Sequence, residues 1–320
     1  MAEGGPVRVV ELAGGVGGAR LAHGLQAHLG AGLTVVVNTG DDLERHGLVV
    51  CPDHDTVLYA LAGIDNREWG WGLAGETFQN AEMLATYGEE TWFRLGDRDL
   101  ATHIVRTRRL RDGERLTDVL LHLQRSLGLE ARILPMTDSP VRTQVGTDEG
   151  WLDFQTYFVG RHQAPEVREL RYEGLADARA TPEVETALHA AEAIIVAPSN
   201  PFLSLAPILG VGGIRAGIDA ARKRGTLVAA ISGIIGGRAL KGPADRMLAS
   251  LGHEASALGV ARIHAPLIDM FVIDRVDAGL EPAIRDLGVD VLVMDTIMDG
   301  DEARARVAGT VLEAIAARRR

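Results

Sequence analysis

The sequence is short of cysteine, of long apolar runs and of basic residues. Cys51 is its only cysteine, which excludes a disulfide framework and a cysteine-based metal site, and the thiol is interpreted as a small apolar filler. No apolar run reaches the roughly 18 residues that a membrane span requires, and residues 1–6 lack a signal-peptide pattern. We therefore expect a cytoplasmic protein with no membrane partner.

Acidic residues outnumber basic ones, and the formal net charge of the 320-residue chain is -11. Because a phosphate backbone demands a basic surface, nucleic acid is not expected as a partner. An anionic substrate must instead be met by local positive charge, from a metal ion, a few arginines or helix N-termini. The hydrophobic content of 46% and the 38 glycines are typical of a compact α/β enzyme.

Apolar segments that indicate buried strands recur along the chain. Residues 7–12 and 33–37 read as strands with a helix at 19–29 between them, which is a βαβ opening. Each predicted strand ends in small, polar or acidic residues, and in a doubly wound sheet these ends would gather along one ligand-binding edge. The further predicted strands are 193–197, 226–231, 271–273 and 289–294.

The middle of the chain has a different pattern. Residues 65–129 show helical periodicity and no clear strand, whereas 133–147 and 150–158 alternate enough to predict a β-ribbon. We predict a Rossmann-like α/β fold, with a mostly parallel sheet flanked by helices and a helical insertion. A single domain over 1–320 would have its core at about 7–64 and 190–315, and the helical and β-ribbon insertion at about 65–189.

Four aspartates, Asp41, Asp42, Asp53 and Asp55, follow the second predicted strand closely. Carboxylates gathered at the end of a buried strand are costly without positive charge, and Mg²⁺ prefers one or two carboxylates together with phosphate oxygens. Asx turns and a helix N-cap are the alternative explanation, because Asp is favoured at both. Taken together, the four favour a metal site.

A glycine loop, Gly14-Gly15-Val16-Gly17-Gly18, stands where the first strand passes into a helix. Glycines there let backbone N–H groups approach a phosphate at the positive end of the helix. The loop matches neither the dinucleotide pattern G-x-G-x-x-G nor a P-loop. It therefore leaves open a mononucleotide diphosphate or a dinucleotide, and a dehydrogenase in which Asp41 meets a ribose is a remaining alternative.

A dense alternation of charges surrounds a Leu-Gly pair at residues 93–103, where Arg94 and Arg98 are the candidate ligand-binding arginines. Arginine suits phosphate and carboxylate recognition because its planar fork makes bidentate hydrogen bonds. On a solvated helix the same alternation would only be a row of salt bridges.

Together these stretches resemble the 2-phospho-L-lactate transferase family of deazaflavin coenzyme (F-420) biosynthesis. The resemblance spans nearly the whole chain in order, and one local departure is His54, where an apolar residue is expected. The matching stretches are GGVGGAR (14–20), VNTGDD (37–42), PDHDTVLY (52–59), LGDRDLATH (95–103), ILPMTD (133–138), APSNP (197–201) and IIG (234–236).

The resemblance implies a Mg²⁺-dependent transferase, commonly dimeric. A guanosine diphosphate ester of a three-carbon acid would donate its phospho-acyl portion to 7,8-didemethyl-8-hydroxy-5-deazariboflavin, and GMP would leave. It places the metal on Asp41 and Asp53 and the deazaflavin near Asp55 and Arg94. In such a reaction the catalytic candidates are Asp55, which could orient the attacking hydroxyl or take its proton, and Arg94 or Arg98, which would meet a carboxylate or phosphate of the donor. The guanosine diphosphate would be held by Gly14, Gly15, Gly17, Gly18, Ser199, Asn200, Gly233 and Gly236.

Two points stay open at this level. The donor acid could be phospholactate, phosphoenolpyruvate or phosphoglycerate, which differ by a hydroxyl group or a double bond. A non-catalytic regulator that binds a nucleotide sugar on the same scaffold is the alternative function.

Overall fold

The computed structural model describes residues 7–318. Residues 1–6, whose lack of a signal pattern was noted above, lie outside the described part, as do residues 319–320. The strands are, in chain order, β1 (Val9–Ala13), β2 (Leu33–Val37), β3 (Leu43–Arg45), β4 (Leu48–Val50), β5 (Arg132–Pro135), β6 (Arg142–Thr147), β7 (Gly150–Asp153), β8 (Val167–Glu173), β9 (Ala193–Val196), β10 (Leu227–Ile231), β11 (Ile234–Ile235), β12 (Arg238–Ala239), β13 (Met270–Asp274) and β14 (Asp290–Met294).

Helices separate most of these strands. In chain order they are α1 (Gly15–Leu29), α2 (Pro52–Leu61), α3 (Gln79–Thr86), α4 (Asp99–Arg111), α5 (Leu116–Ser126), α6 (Pro182–Ala190), α7 (Ala206–Gly210), α8 (Ile214–Lys223), α9 (Ala244–Ser250), α10 (Ala257–His264), α11 (Glu281–Arg285) and α12 (Gly300–Arg318). Within residues 7–318, none of the helices combines the length and the apolar character that a membrane crossing needs.

Seven strands form the central sheet, in the order β14-β13-β10-β9-β1-β2-β5, and every neighbouring pair is parallel. Helices α1, α2 and α12 cover one face, while α6, α8, α10 and α11 cover the other. Parallel strands that are covered on both faces read as continuous apolar runs, as β9 and β10 do, whereas β1 is interrupted by Glu11. The predicted Rossmann-like α/β fold is confirmed.

One strand prediction was wrong. Residues 133–147 were predicted as part of a β-ribbon, but β5 pairs with β2 as the edge strand of the central sheet. The ribbon itself starts later, where β6 lies between β7 and β8 in an antiparallel sheet. Sequence alternation could not reveal this split, because the strand partner of β5 is almost 100 residues earlier in the chain.

The order in which successive strands are added to the sheet changes sides at β1. From β1 it proceeds to β2 and later to β5 on one side, and it then returns to place β9 on the other side of β1. In open α/β sheets a crevice forms outside the carboxyl ends of the strands at such a switch point, and ligands bind there. The turns after β1, β2, β9 and β10 therefore meet at the expected position for a site.

Candidate active site

A cleft with a volume of about 460 Å³ opens at this switch point. The turns after β1, β2, β9 and β10 and the start of α2 contribute one side, and the inserted segment contributes the other. The volume is within the roughly 300–1,000 Å³ that is usual for small-molecule sites. The predicted site residues that line it are Gly14, Gly15, Gly17, Asp41, Asp53, Asp55, Arg94, Ser199, Asn200 and Gly233.

The glycine loop forms the N-terminus of α1 and packs against the turn after β9. Ser199 Oγ accepts a hydrogen bond from the Gly14 N–H at 3.1 Å and donates to the Gly14 carbonyl at 2.7 Å. A Cβ atom at Gly17 would lie only 2.4 Å from the Pro198 carbonyl oxygen, so this close approach requires glycine. The Gly14 and Gly15 N–H groups are already used in hydrogen bonds to Ser199 and Asp53, so a ligand anion would meet the next N–H groups of the first turn of α1, which have no intrahelical partner.

Asp41 and Asp53 are two buried carboxylates beside this loop. Asp53 lies in the first turn of α2, where it accepts hydrogen bonds from the Gly15 N–H at 2.8 Å and from Asn38 Nδ2 at 3.0 Å. Burial raises the pKa of Asp53 to about 6, against the effect of these two hydrogen bonds. Burial and then the nearby Asp53 carboxylate raise the pKa of Asp41 well above its usual range.

This pair fits a hard divalent cation. Asp41 Oδ1 is buried without a hydrogen-bond partner among the described residues. Within residues 7–318 no ion pair joins Asp41 or Asp53 to a basic side chain. A cation between the two carboxylates would satisfy the unpartnered oxygen and remove their mutual repulsion, and carboxylate oxygens are the ligands that Mg²⁺ prefers.

Asp42 belongs to the aspartate cluster in sequence but does not line the cleft. Burial raises its pKa to about 7, although Arg142 and a hydrogen bond from the Cys51 thiol act in the opposite direction. Cys51 is fully buried, in agreement with its interpretation as a filler. Asp41 and Asp42 are therefore adjacent in the sequence but differ in environment, since only Asp41 lines the cleft.

Asp55 is held in a buried ion pair with Arg106. Arg106 Nη2 donates to Asp55 Oδ1, and Arg106 Nη1 lies 3.2 Å from His103 Nδ1. Burial alone would raise the pKa of Asp55, but the Arg106 guanidinium and the nearby His54 and His103 rings hold it well below its usual range. Asp55 is therefore a permanently ionised carboxylate and a weak proton acceptor. His54, the residue that departs from the family pattern, is completely buried, and burial lowers its pKa.

Asp55, Asp99 and His103 form a group that could hold a metal ion, because one ligand atom from each lies within 4.8 Å of the others. His103 Nε2 is 3.3 Å from Asp99 Oδ2, and the Tyr59 hydroxyl donates a hydrogen bond to Asp99. Arg106 already supplies positive charge to this group. The need for a cation is therefore greater at Asp41 and Asp53.

The two arginines that were predicted to bind ligands have different positions. Arg94 lines the cleft, and its guanidinium stacks 3.9 Å from the ring centroid of Phe78. Arg98 does not line the cleft, and its Nη1 donates instead to the Ala74 carbonyl at 2.5 Å. Four residues of non-helical chain before α4 therefore separate a cleft residue from one that ties the inserted segment together.

Asp97 has a structural contact in the same block. Its carboxylate accepts hydrogen bonds from the backbone N–H groups of Gln79 and Asn80 at 3.0 and 2.9 Å. Hydrogen bonds from the Thr77 hydroxyl, from these two backbone N–H groups and from the Asn80 side chain lower the pKa of Asp97 far below its usual range. Asp97 therefore fixes the start of α3, and the polar residues of the charged block that line the cleft are Arg94, Asp99 and His103.

Two predicted glycines also lie outside the lining. A Cβ atom at Gly18 would be 2.7 Å from Ala13 Cβ, so Gly18 allows α1 to pack closely on β1. Gly236 donates its N–H to the Asp277 carboxylate at 3.1 Å. Asn200 does line the cleft, but its side-chain oxygen caps the following turn, Pro201–Leu205, by accepting two backbone hydrogen bonds.

Sequence reasoning missed the apolar wall of the cleft and one cation. The aromatic rings come from separate segments of the chain, so no local sequence pattern predicts that they meet in the cleft. Lys241, in the loop after β12, also lines the cleft. The aromatic lining residues that were missed are Tyr59, Trp71, Trp92, Phe93, Phe154 and Phe158.

Fold and site together define an α/β protein with a glycine-rich, carboxylate-rich cleft at a topological switch point. Residues 9–300 match the family model described as 2-phospho-L-lactate transferase CofD. The chain belongs to this family, as its sequence motifs indicated, and its relatives are named as transferases.

Two curated relatives carry different names. The 2-phospho-L-lactate transferase of Methanosarcina mazei is 38% identical over 96% of this chain and 100% of its own length. The phosphoenolpyruvate transferase of Streptomyces griseus is 41% identical over 96% of this chain and 98% of its own length. Among solved structures, protein BH3568 of Bacillus halodurans shares the fold, with a TM-score of 0.61 and 16% identity over 97% of this chain and 99% of that protein.

Proposed function

We propose that the protein transfers a phospho-three-carbon-acid group, 2-phospholactyl or phosphoenolpyruvyl, from its guanosine diphosphate ester to 7,8-didemethyl-8-hydroxy-5-deazariboflavin. GMP is the leaving group, and the product is an intermediate of coenzyme F-420 biosynthesis. The observation that carries the proposal is the Asp41–Asp53 pair beside the N-terminus of α1, in a chain that belongs to the 2-phospho-L-lactate transferase family.

The diphosphate of the donor binds at the glycine loop. Gly14, Gly15, Val16 and Gly17 line the cleft at the N-terminus of α1, and the helix dipole favours a negative group there. Asp41 and Asp53 would hold Mg²⁺ against the same diphosphate. When bound, Mg²⁺ neutralises charge on the diphosphate and on the departing GMP.

The acceptor occupies the aromatic part of the cleft. Trp71, Trp92 and Phe158 offer apolar surface to a planar ring system. Arg94 is held against Phe78 with its guanidinium at the cleft, where it can contact a polar edge of the acceptor. These positions agree with the family expectation that the deazaflavin lies near Arg94 and Asp55.

Asp55 orients the attacking hydroxyl. Its Oδ2 is buried without a hydrogen-bond partner among the described residues, and Asp55 lines the cleft, so this oxygen can accept a hydrogen bond from the ribityl hydroxyl. The low pKa of Asp55 makes proton abstraction by this group inefficient. Phosphoryl transfer passes through a loose transition state, in which positioning matters more than deprotonation.

The reaction forms one bond and breaks one. The ribityl oxygen bonds to the phosphorus that carries the three-carbon acid, and the bond from that phosphorus to the bridging oxygen of GMP breaks. The hydroxyl proton leaves to solvent. A general base is not required beside the oxygen, since the hydrogen bond to Asp55 already directs its lone pair.

The decisive experiment is turnover with each candidate donor. Purified protein, the deazaflavin and Mg²⁺ are combined with the guanylated forms of phospholactate, phosphoenolpyruvate and phosphoglycerate in turn, and GMP release and product mass are measured. We expect equal amounts of GMP and of the phosphodiester product from at least one donor. If the deazaflavin binds but no donor gives product, none of the three compounds is the donor. If the deazaflavin does not bind and no product forms, the regulatory alternative is favoured.

The role of Asp55 has its own test. Asp55→Asn should lower kcat by at least about tenfold, since a well-made charge-assisted hydrogen bond is lost in the transition state. Near-normal turnover with unchanged acceptor affinity would show that the carboxylate neither orients the hydroxyl nor accepts its proton.

A further inference from the structure

Lys241 and Arg20 are two cations in neighbouring parts of the site, Lys241 in the cleft and Arg20 in a side pocket next to it. Lys241 lies in the loop after β12 and lines the cleft. Arg20 lies in α1, one turn beyond Val16 of the glycine loop, in a side pocket that shares Val16 and Trp71 with the cleft. The two positive groups are close enough for Arg20 to lower the pKa of Lys241, in addition to the larger effect of burial.

Among the described residues no carboxylate forms an ion pair with Lys241 or Arg20, although Asp65 lines the side pocket that contains Arg20. Lys241 Nζ has one long hydrogen bond, 3.4 Å, to the Trp69 carbonyl, although an ammonium group carries three donors. No hydrogen bond and no ion pair involves Arg20 within residues 7–318. Two neighbouring cations without a carboxylate repel each other, and an anion between them removes that cost.

Lys241 reaches the glycine loop across a single glycine. Gly70 has a φ of +80°, and an ideal Cβ there would lie 2.7 Å from Lys241 Nζ and 3.4 Å from Val16 Cγ1. Any side chain at this position would push the lysine away from the loop. The ammonium group therefore stays next to the helix N-terminus at which the diphosphate is proposed to bind.

A third cation, Arg304, lies beside Arg20, and it is partly compensated by Asp301, 3.7 Å from its Nη1, and by the nearby Asp65. Arg304 is 4% exposed, lines the same side pocket as Arg20, and has Nε and Nη1 buried without hydrogen-bond partners among the described residues. The side pocket has a volume of only about 20 Å³, which is too small for a phosphate group. The anion must therefore lie on the cleft side of Arg20, within reach of Lys241.

We propose that Lys241 and Arg20 form an anion subsite in the cleft that binds a phosphate or carboxylate group of the substrate. The identity of that substrate rests on the proposed function, whereas the subsite itself rests on the geometry of the two cations. In the guanylated donor the group is either a diphosphate oxygen or the carboxylate of the three-carbon acid.

The chain offers an internal control, because Lys241 and Lys223 are its only lysines. Lys223 ends α8 on the covered face of the sheet and does not line the cleft. Both lysines are acetylated with a water-soluble ester, and peptide mass spectrometry measures the rate at each. The rates are compared in the presence of Mg²⁺ without a ligand and with inorganic pyrophosphate, GDP or a guanylated donor. We expect the acetylation rate of Lys241 to fall at least about fivefold with a bound anion while that of Lys223 does not change.

The ligands distinguish the sources of the anion. Protection by pyrophosphate and GDP assigns the subsite to a phosphate oxygen, and protection by the guanylated donors alone assigns it to the carboxylate. Unchanged labelling of Lys241 under all ligands, when calorimetry shows that GDP is bound, would overturn the subsite and leave the proposed function intact. If GDP does not bind, the result with pyrophosphate decides. Protection of Lys241 by pyrophosphate supports the subsite but not the proposed function, and unchanged labelling overturns the subsite.

Kinetics with variants provides the second readout. Lys241→Met should raise the KM of the guanylated donor by about tenfold, which is the loss of one charge-assisted contact, without changing the acceptor KM. Lys241→Arg should recover most of the affinity because it keeps the charge, and Lys223→Met should match the wild type. An unchanged donor KM in Lys241→Met would contradict the proposal.

Discussion

A buried carboxyl group in the central strand gives a sharp prediction about stability. Glu11 is completely buried in β1, between Val35 of β2 and Ile195 of β9 in the strand register. Neither of its carboxyl oxygens has a hydrogen-bond partner among the described residues, and burial raises its pKa well above the usual range. Glu11→Leu replaces the carboxyl group with an apolar side chain of similar size and should stabilise the fold.

The magnitude follows from the surroundings of Glu11. An unpartnered polar group costs roughly 1–3 kcal/mol when it is buried, and the extra apolar contact of leucine adds about 1 kcal/mol, so we expect a gain of about 2–4 kcal/mol. An unfolding entropy of about 2.1 cal/mol/K per residue over 320 residues converts this into a rise in Tm of about 3–6 °C. Thermal unfolding followed by circular dichroism measures it.

The pH dependence of the free energy of unfolding separates two costs of Glu11, the cost of ionising it and the cost of burying an uncharged polar group. Below the unfolded pKa of about 4.3 both states are protonated, and above it only the unfolded state ionises. The contribution of Glu11 to stability should therefore fall by about 1.4 kcal/mol per pH unit until the pH reaches the raised folded pKa. Glu11→Gln should remove this slope but keep the unpartnered polar group. A lower Tm in Glu11→Leu, with the wild-type slope retained in both variants, would refute the reasoning.

Three further predictions concern the cleft. Arg106→Met should destabilise the fold by about 3–5 kcal/mol in thermal or urea unfolding, because it leaves the buried Asp55 carboxylate unpaired, and adding Asp55→Asn should restore part of the loss. Gly17→Ala should cost about 1–3 kcal/mol and weaken GDP binding, because its Cβ would meet the Pro198 carbonyl; an unchanged Tm would contradict this. Arg98→Met should leave both substrate KM values within about threefold, because the guanidinium lies outside the cleft, and a larger change would restore Arg98 to the site.

The sequence predicted the central sheet well for a physical reason. Strands such as β2 and β9 are covered on both faces and appear as short runs rich in Val and Ile, whose length and β-branched composition favour a strand over a buried helix. β5 was assigned to the ribbon because its position depends on pairing with β2, a contact that no local pattern encodes. The fold class could thus be predicted, but the edge of the sheet could not.

The same distinction applies to the site. A metal site could be proposed because four aspartates follow one strand within a short stretch, and the family resemblance singled out Asp41 and Asp53, which both line the cleft. Arg106, which fixes the charge of Asp55, and Lys241 come from distant segments, and their roles depend on tertiary contacts. Arg98 shows the reverse error: its type and position in the sequence suggested binding, but the path of the backbone directs its guanidinium to the Ala74 carbonyl.

The central claim is that Asp41 and Asp53 hold a divalent cation against the diphosphate of the donor. Calorimetric titration of GDP, with Mg²⁺ and with a chelator, tests it directly in the wild type, Asp53→Asn and Asp42→Asn. Asp42 is the matched control, because it is buried next to Asp41 but does not line the cleft, and its pKa of about 7 means that it is already partly neutral. We expect Mg²⁺ to tighten GDP binding by at least about tenfold in the wild type and in Asp42→Asn, and to have no effect in Asp53→Asn. Mg²⁺-independent binding in the wild type, or a full Mg²⁺ effect in a folded Asp53→Asn variant, would contradict the account.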